Sequence, residues 1–240
     1  AQSADMSSMQ SIFYGASPMS PARLRQAIEL WGQVFYQFFG QSEAPMVVAN
    51  MRRQEHDLGK PERLGACGRP SPWVPLALLD TEGNPVANGE PGEICVRGPL
   101  IMTGYKDMPE ATAQAFADGW LHTGDVGRLD EDGFLHIVDR TKDMIVSGGF
   151  NVYPREVEDV LNRHSAVQQV AVIGVPDAQW GESVKAVVVL KPGITADAKG
   201  SVQAPKSVDS LDAIPLTPVG KPDKKAVRAR YWSDQQRSVS

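Results

Sequence analysis

Two charged residues stand in settings that would suit chemistry on a bound ligand. Asp125 follows Thr123-Gly124, a sequence typical of a turn that exposes a carboxylate. Lys221 ends Pro215-Leu216-Thr217-Pro218-Val219-Gly220-Lys221, where prolines and a glycine predict a stiff loop that presents one lysine at its tip. The carboxylate could accept hydrogen bonds and the lysine could stabilise negative charge. Each pattern alone is weak, because such residues are usually turn and surface positions.

The elements that would position these residues begin with a β-α-β unit. Residues 9–14 and 34–39 have the composition of buried strands. Between them, Ser20-Pro21 predicts a helix N-terminus, and apolar residues recur behind it at helical spacing. Ligands bind at the carboxyl ends of parallel strands in such folds. Two loops are expected there: Gly15-Ala16-Ser17-Pro18 and Phe39-Gly40-Gln41-Ser42-Glu43.

Two further regions differ in composition from this unit. After residue 60 the chain is dense in glycine and proline, and its short apolar runs predict antiparallel strands in a small barrel or sandwich. Among these runs, residues 92–98 are expected to be mainly structural. Beyond Lys142 a compact α+β unit is predicted. In it Pro154 begins a helix whose apolar face carries Val157, Val160 and Leu161, and two strongly β-forming runs follow.

The bulk composition restricts the classes of partner. The chain has 240 residues and a formal net charge of -5, which provides no basic footprint for nucleic acid. Its two cysteines, Cys67 and Cys95, show no metal-ligand spacing, so we expect packing roles and a reducing cytoplasm. No apolar stretch is long enough to span a bilayer. The sequence leaves a homodimer open.

Several motifs occur together in a fixed order: the two loops above, Gly119-Trp120-Leu121-His122-Thr123-Gly124-Asp125, Val138-Asp139-Arg140-Thr141-Lys142-Asp143-Met144-Ile145, Ser147-Gly148-Gly149-Phe150-Asn151-Val152-Tyr153-Pro154, and the loop that ends at Lys221. In combination, these motifs resemble the AMP-forming acyl-CoA synthetases, whose superfamily includes firefly luciferase and the adenylation domains of peptide synthetases. The resemblance implies an α/β remnant plus a distorted antiparallel β-barrel, followed by a small α+β C-terminal domain. The implied divisions are 1–60 for the remnant of the nucleotide-binding subdomain, 61–141 for the barrel and 142–240 for a mobile C-terminal domain.

The resemblance also implies a nucleotide site in the N-terminal half of the chain. Asp125 would hold the two ribose hydroxyls, since a carboxylate can accept from both members of a diol. Glu43 would hold Mg²⁺. Ser42 and Phe39 depart mildly from the family's commoner Thr and Tyr, keeping a hydroxyl and a face for stacking on adenine. The residues implied around the nucleotide are Gly15, Ala16, Ser17, Pro18, Phe39, Gly40, Gln41 and Ser42.

Four further roles are implied for the C-terminal part. Arg140 would lie near the ribose or the phosphate, and Lys142 would be the hinge between a large and a small domain. Ser147, Gly148 and Gly149, a flexible loop before a helix when read alone, would approach the path of the thiol, where glycines let pantetheine pass close to the backbone. Lys221 would be the catalytic lysine.

The implied reaction is that of an acid-thiol ligase. A carboxylic acid, a fatty acid or an aromatic one, attacks ATP to give an acyl-adenylate and pyrophosphate, and the thiol of CoA then displaces AMP. ATP, Mg²⁺ and CoA are therefore the expected cofactors and co-substrates. Rotation of the small domain would separate the two half-reactions, because one site cannot hold both Lys221 and the thiol path.

One part of the family pattern has no match. No segment within residues 1–50 matches the Ser/Thr/Gly-rich phosphate loop that ends in Pro-Lys-Gly. We therefore expect a C-terminal portion of a synthetase that does not turn over alone. The alternatives are a catalytically silent nucleotide-binding fragment, an adenylation domain that loads a carrier protein, and a luciferase-like oxygenase.

Overall fold

The computed structural model describes residues 5, 7–16, 19–193, 205–217 and 222–232. The chain separates into two compact units, Ala1–Ile137 and Val138–Ser240.

The first unit opens with the expected β-α-β arrangement. Strand β1 (Ile12–Gly15), helix α1 (Pro21–Trp31) and strand β2 (Phe35–Gln41) follow one another, and β1 pairs in parallel with β2. Pro21 occupies the first turn of α1, where its missing N–H breaks no helical hydrogen bond. The helix buries Leu24 and Ile28 against Phe35 and Leu64.

Two antiparallel strands complete this first sheet. Strand β3 (Ala44–Met51) returns along β2, and the short β4 (Arg69–Pro70) pairs with β3, so the strand order is β1-β2-β3-β4. Short 3-10 turns at Arg53–Glu55 and Pro61–Gly65 connect β3 to β4.

The second sheet of this unit is antiparallel and contains five strands. The elements are β5 (Leu76–Leu79), β6 (Gly92–Val96), helix α2 (Pro109–Ala115), β7 (Phe116–Ala117), β8 (Trp120–Leu129) and β9 (Leu135–Arg140). Strands β5 and β6 pair with each other, β6 pairs with β8, and β7 and β9 both pair with β8. Strand β9 begins in the first unit, and its last three residues belong to the second. Asp130 closes the β8–β9 hairpin, because its carboxylate accepts the N–H of Phe134 and its carbonyl accepts that of Gly133.

One hydrophobic core joins the two sheets of the first unit. Ala44 and Val48 of β3 pack in the same buried cluster as Ile94 of β6 and Leu121 of β8. This apolar burial is the main favourable term that holds the two sheets together. Phe39 packs, partly buried, against the same cluster.

The second unit is a five-stranded sheet with helices on both faces. Alternate residues of one strand point to opposite faces: Ala171 and Ile173 pack with Val227 of the last helix, whereas Val170 and Val172 pack with Val157 of the first. The elements are β10 (Ile145–Ser147), β11 (Phe150–Val152), α3 (Pro154–Leu161), β12 (Val167–Asp177), β13 (Gly181–Leu190), β14 (Ser207–Ser210) and α4 (Lys224–Arg228).

Most of the predicted helices and strands are confirmed, and they form mainly antiparallel sheets with few helices. The division into a remnant, a barrel and a mobile domain stays a prediction. One position on the predicted helix face is wrong: Val160 is 65% exposed, whereas Val157 and Leu161 pack against the sheet. Among the described residues, no helix is both long and apolar enough to cross a membrane.

Helix α1 allows a matched test of this packing. Leu24 is fully buried and Leu30 is 55% exposed on the same helix. We expect Leu24→Ala to lower the free energy of unfolding by about 2–5 kcal/mol through lost burial and a residual cavity. Leu30→Ala should change it by less than about 1 kcal/mol, since a substitution at an exposed position removes little packing. Urea denaturation followed by circular dichroism measures both, and equal effects would contradict the assigned orientation of α1.

Candidate functional site

Asp125 lies in a bulge of strand β8 rather than in a turn between strands. Glu93 of β6 pairs with Val126, and Cys95 pairs with His122, so two steps along β6 correspond to four along β8. The additional residues belong to the segment Thr123–Gly124–Asp125, which we call the Asp125 bulge. Its backbone departs from the regular ladder, and the Asp125 side chain is nevertheless buried, with the residue only 7% exposed.

Local hydrogen bonds define the shape of the Asp125 bulge. The Thr123 hydroxyl donates to the carbonyl of Ile94 at 2.7 Å and accepts the N–H of Asp125 at 3.2 Å. Gly124 has a φ of 71°, a left-handed conformation that favours glycine, although nothing crowds its α-carbon. Conformation, and not lack of space, therefore requires glycine before Asp125.

The glycines of the two predicted nucleotide loops lie on neighbouring strands. Gly15 pairs with Phe38, and a Cβ added to Gly15 would stand 2.2 Å from the Phe38 carbonyl oxygen. A Cβ on Gly40 would stand 2.4 Å from the carbonyl oxygen of Ala44. Both glycines are thus required by close backbone approach. Ala16 follows Gly15 with a φ of 59°, while Ser17 and Pro18 lie outside the described residues.

The segment from Phe39 to Glu43 forms a hairpin instead of a loop that follows a parallel strand. Phe39, Gly40 and Gln41 belong to β2, and Gln41 pairs with Ala44, so Ser42 and Glu43 are the two turn residues between β2 and β3. The antiparallel β3, not expected from the sequence, is the physical reason for the difference.

Glu43 is held at this turn by contacts from a distant segment. Its Oε1 accepts a hydrogen bond from the Tyr105 hydroxyl at 2.6 Å, and its backbone carbonyl accepts the N–H of Met102 at 2.8 Å. The bond to Glu43 raises the pKa of Tyr105 above its usual value. A single half-buried carboxylate with one oxygen held in this way fits Mg²⁺, which often takes one or two protein carboxylates together with phosphate oxygens and water.

Arg140 and Lys142 belong to the second unit and both are exposed. Arg140 ends β9, and Lys142 lies in the 3-10 turn Thr141–Asp143. The buried Asp139 fixes the start of this segment by accepting the backbone N–H groups of Arg140 and Arg155, both at 2.8 Å. The sequence did not single out Asp139, although its position directly before Arg140 could have done so.

The end of this turn is fixed as well. Asp143 accepts a hydrogen bond from the Arg228 guanidinium of α4. With Asp139 at one end and Asp143 at the other, the predicted hinge at Lys142 is short and bounded by defined contacts.

Ser147, Gly148 and Gly149 form a tight hairpin rather than a flexible loop. Ser147 pairs with Phe150, so Gly148 and Gly149 are the two central residues of the turn, with φ of 60° and 83°. Two positive φ values in succession match the hairpin turns that favour glycine. A Cβ on Gly148 would stand 2.4 Å from the Trp180 ring, and Phe150 beside the turn is 76% exposed.

Lys221 lies outside the described residues. Leu216 and Pro222, on either side of its loop, form a β-bridge.

The predicted site residues lie in different parts of the fold. Gly15 and Gly40 lie in one sheet and Asp125 in another sheet of the same unit, and a common core joins the two sheets. Arg140, Lys142 and the Ser147–Gly149 turn belong to the second unit.

The described residues contain one further group of polar side chains that could bind a metal ion. Glu93, Cys95 and His122 bring an oxygen, a sulfur and a nitrogen within 4.8 Å of one another. Burial raises the pKa of the Cys95 thiol to about 12. The sequence predicts a mainly structural role for residues 92–98 and does not reveal this group, because Cys95 on β6 and His122 on β8 are 27 positions apart.

Comparison with known proteins gives two family matches. Residues 1–106 match the family described as AMP-binding enzyme, and residues 156–221 match the AMP-binding enzyme C-terminal domain.

Individual relatives cover nearly the whole chain. The medium/long-chain-fatty-acid–CoA ligase FadD8 of Mycobacterium tuberculosis is 53% identical over 98% of this chain and 44% of its own length. A feruloyl-CoA synthase of Amycolatopsis is 42% identical over 96% of this chain and 48% of its own. The solved structure of the amide bond synthetase McbA from Marinactinospora thermotolerans is 41% identical, with a TM-score of 0.81 over 95% of this chain and 48% of that one. The chain thus spans less than half the length of these relatives.

The two glycines of the hairpin allow a test that separates crowding from backbone conformation. Gly149 has a positive φ but open space around its α-carbon, whereas Gly148 also faces Trp180. We expect Gly149→Ala to cost about 1–2 kcal/mol, the cost of a left-handed conformation. Gly148→Ala should cost more, because Trp180 must also move. Thermal unfolding with tryptophan fluorescence measures this, and equal losses would contradict the contact with Trp180.

Proposed function

This chain belongs to the adenylate-forming superfamily of AMP-binding enzymes, and from this premise we propose that it acts in an ATP-dependent acid-thiol ligase. The ligase converts a carboxylic acid to an acyl-adenylate and transfers the acyl group to CoA. A fatty acid is the proposed substrate, on the support of a relative named as a medium/long-chain-fatty-acid–CoA ligase at 53% identity.

The observation that carries the proposal is the buried carboxylate of Asp125 in the bulge of β8. The backbone of the bulge fixes the Asp125 carboxylate in a buried position, where little water competes for its oxygens. Such a carboxylate can accept hydrogen bonds from two adjacent hydroxyls, which suits a ribose diol. In the proposed site Gly15, Ala16, Ser17 and Pro18 surround the adenine, together with Phe39, Gly40, Gln41 and Ser42. Gly15 and Gly40 lie on the neighbouring strands β1 and β2 of one sheet, and this adjacency supports a common site.

Three groups of the proposed site stabilise the negative charge of the reaction. Lys221 bridges the attacking carboxylate and the α-phosphate, and the positive charge stabilises the anionic transition state. Arg140 lies near the ribose or the phosphate. Glu43, with Tyr105 holding its Oε1, would bind Mg²⁺, which when bound neutralises phosphate oxygens. Asp125 adds a positioning effect by fixing the nucleoside.

The second half-reaction needs a different arrangement around the adenylate. We propose that the segment at Lys142 is the hinge about which the C-terminal domain turns, and the short 3-10 turn between Asp139 and Asp143 supports this. In that arrangement Ser147, Gly148 and Gly149 lie beside the path of the CoA thiol. The exposed hairpin tip is compatible with such a role because no side chain projects from its two glycines.

Two other functions are compatible with an adenylate-binding site. A carrier protein could replace CoA as the acceptor, since the motifs that bind the adenylate would be the same. The chain could also act as a catalytically silent nucleotide-binding piece, in which case it binds AMP without turnover.

Binding of a stable acyl-adenylate analogue tests the proposal directly. The chain is titrated calorimetrically with AMP and with acyl-sulfamoyl-adenosines that carry octanoyl, palmitoyl or feruloyl groups. We expect the fatty acyl compounds to bind more tightly than AMP, and Asp125→Asn to weaken all of them. Tighter binding of the feruloyl compound than of the fatty acyl compounds would indicate an aromatic acid as the substrate. If no adenosine compound binds, the nucleotide site is refuted.

The catalytic lysine is tested by the rate of ATP–pyrophosphate exchange with a fatty acid. In a complete enzyme that contains this sequence, Lys221→Ala should slow this exchange by roughly 10²–10³, the scale for loss of one preorganised charge-stabilising group. Lys225→Ala, an exposed lysine in α4, is the matched control and should leave the rate unchanged. An unchanged rate in Lys221→Ala would exclude this role. Nucleotide binding by the wild type without exchange would favour the silent alternative.

A further inference from the structure

The carboxylate of Glu93 connects β6 to two places on β8. Its Oε1 accepts the backbone N–H of Gly124 at 3.0 Å. Its Oε2 lies 2.8 Å from Nδ1 of the His122 imidazole. Gly124 immediately precedes Asp125, so one side chain holds β8 on both sides of Thr123, at the entrance to the Asp125 bulge.

The bulge creates the need for this contact. Between the two pairs at the ends of the bulge, one residue of β6 faces three of β8, so the backbone N–H groups of the additional residues cannot all find ladder partners. Glu93 supplies an acceptor for Gly124, and a carboxylate makes such a bond stronger than a neutral acceptor would. The side chains of Glu93 and His122 are only 21% and 26% exposed, so water competes weakly for these bonds.

We propose that Glu93 is a positioning residue for the nucleotide: it fixes the Asp125 bulge so that the Asp125 carboxylate meets the ribose diol without reorganisation. This inference rests on the proposed role of Asp125 and extends it by one residue. Thr123 holds the other side of the bulge through Ile94, so the Glu93 contact and the Thr123 contact together leave the backbone before Asp125 little freedom.

The same side chains could instead bind a soft metal ion together with Cys95. A metal ion would have to remove the proton of the Cys95 thiol and replace the hydrogen bonds that Glu93 makes with Gly124 and His122. Cys95 is fully buried, and burial raises the pKa of its thiol, so removal of that proton is costly. The contacts therefore favour the positioning role, and metal binding becomes an outcome of the test.

The experiment compares two nucleotides on the same 240-residue chain. AMP and 2′,3′-dideoxy-AMP differ only in the ribose hydroxyls, so the ratio of their dissociation constants reports how well Asp125 is presented. Calorimetry measures the ratio for the wild type, Asp125→Asn, Glu93→Ala and Glu93→Gln. The control is Glu90→Ala, which removes an exposed glutamate three positions earlier.

We expect the wild type and Glu90→Ala to prefer AMP by about 10²-fold, the scale of two hydrogen bonds to a charged acceptor. Asp125→Asn should lose most of this preference. Glu93→Ala should reduce it to about tenfold or less, because the loss of a charge-assisted hydrogen bond has effects of that size. Glu93→Gln should stay within about threefold of the wild type, since its amide oxygen can still accept from Gly124. A misfolded variant would lose affinity for both nucleotides, rather than change the ratio of the two dissociation constants.

Amide exchange of Gly124 provides a second measurement that needs no nucleotide. By NMR, its N–H should exchange at least about tenfold faster in Glu93→Ala than in the wild type or Glu90→Ala, because its acceptor is gone.

The outcomes separate the inference from the function beneath it. Equal affinity of the wild type for the two nucleotides would overturn the ribose role of Asp125 and, with it, this inference. If the wild type prefers AMP and Glu93→Ala keeps this preference, this inference alone is overturned. The same holds if the Gly124 N–H exchanges at an unchanged rate in Glu93→Ala. If the wild type binds Zn²⁺ stoichiometrically and both Glu93→Ala and Cys95→Ser lose this binding, the positioning role is overturned in favour of a metal site.

Discussion

A β-strand that leaves its ladder must find other partners for its backbone groups, and this requirement shapes the centre of the first unit. Between Glu93 and Cys95 the β6–β8 ladder is interrupted, and the Asp125 bulge lies opposite the interruption. The Glu93 carboxylate and the Thr123 hydroxyl take over as partners. Because a buried, unpaired N–H would cost free energy, the side chains that fix Asp125 also allow the strand to deform.

Close approach of backbones imposes a second constraint on the same unit. At Gly15 and at Gly40 a single added carbon would overlap a carbonyl oxygen of the neighbouring strand. These glycines therefore serve the sheet whether or not a ligand is bound. In the proposed adenine site the same positions would also serve the ligand, since a backbone without a side chain is what a planar base can approach. This coincidence explains why glycine alone is a weak signal in a sequence.

The second unit carries exposed turns on a well-packed base. Strand β12 is buried on both faces, by α3 on one side and α4 on the other. The hairpin at Gly148 and the turn at Lys142 lie at its surface and are fixed by short-range contacts with Trp180 and Asp139.

Local patterns in the sequence were sufficient for several elements. Pro21 in the first turn and apolar residues at helical spacing specify α1, and Pro154 likewise begins α3. The continuous apolar run from Val170 predicts a strand, because burial on both faces removes the usual alternation. The family resemblance, carried by Asp125 and its neighbours, was likewise present in the sequence alone and is confirmed.

The errors arose where a partner distant in sequence decides the local structure. The segment from Phe39 to Glu43 is a hairpin because β3 folds back on β2, and Val160 is exposed because the sheet covers only part of α3. The turn reading at Asp125 was wrong because β8 continues through it.

By itself, then, the sequence determined helices α1 and α3, several strands and the family, because these depend on residues that are neighbours along the chain. Only the tertiary structure decided that Tyr105 holds Glu43 and that Glu93 holds Gly124, across 62 and 31 positions. Such contacts arise when sheets pair and cores close, and neither composition nor spacing encodes them.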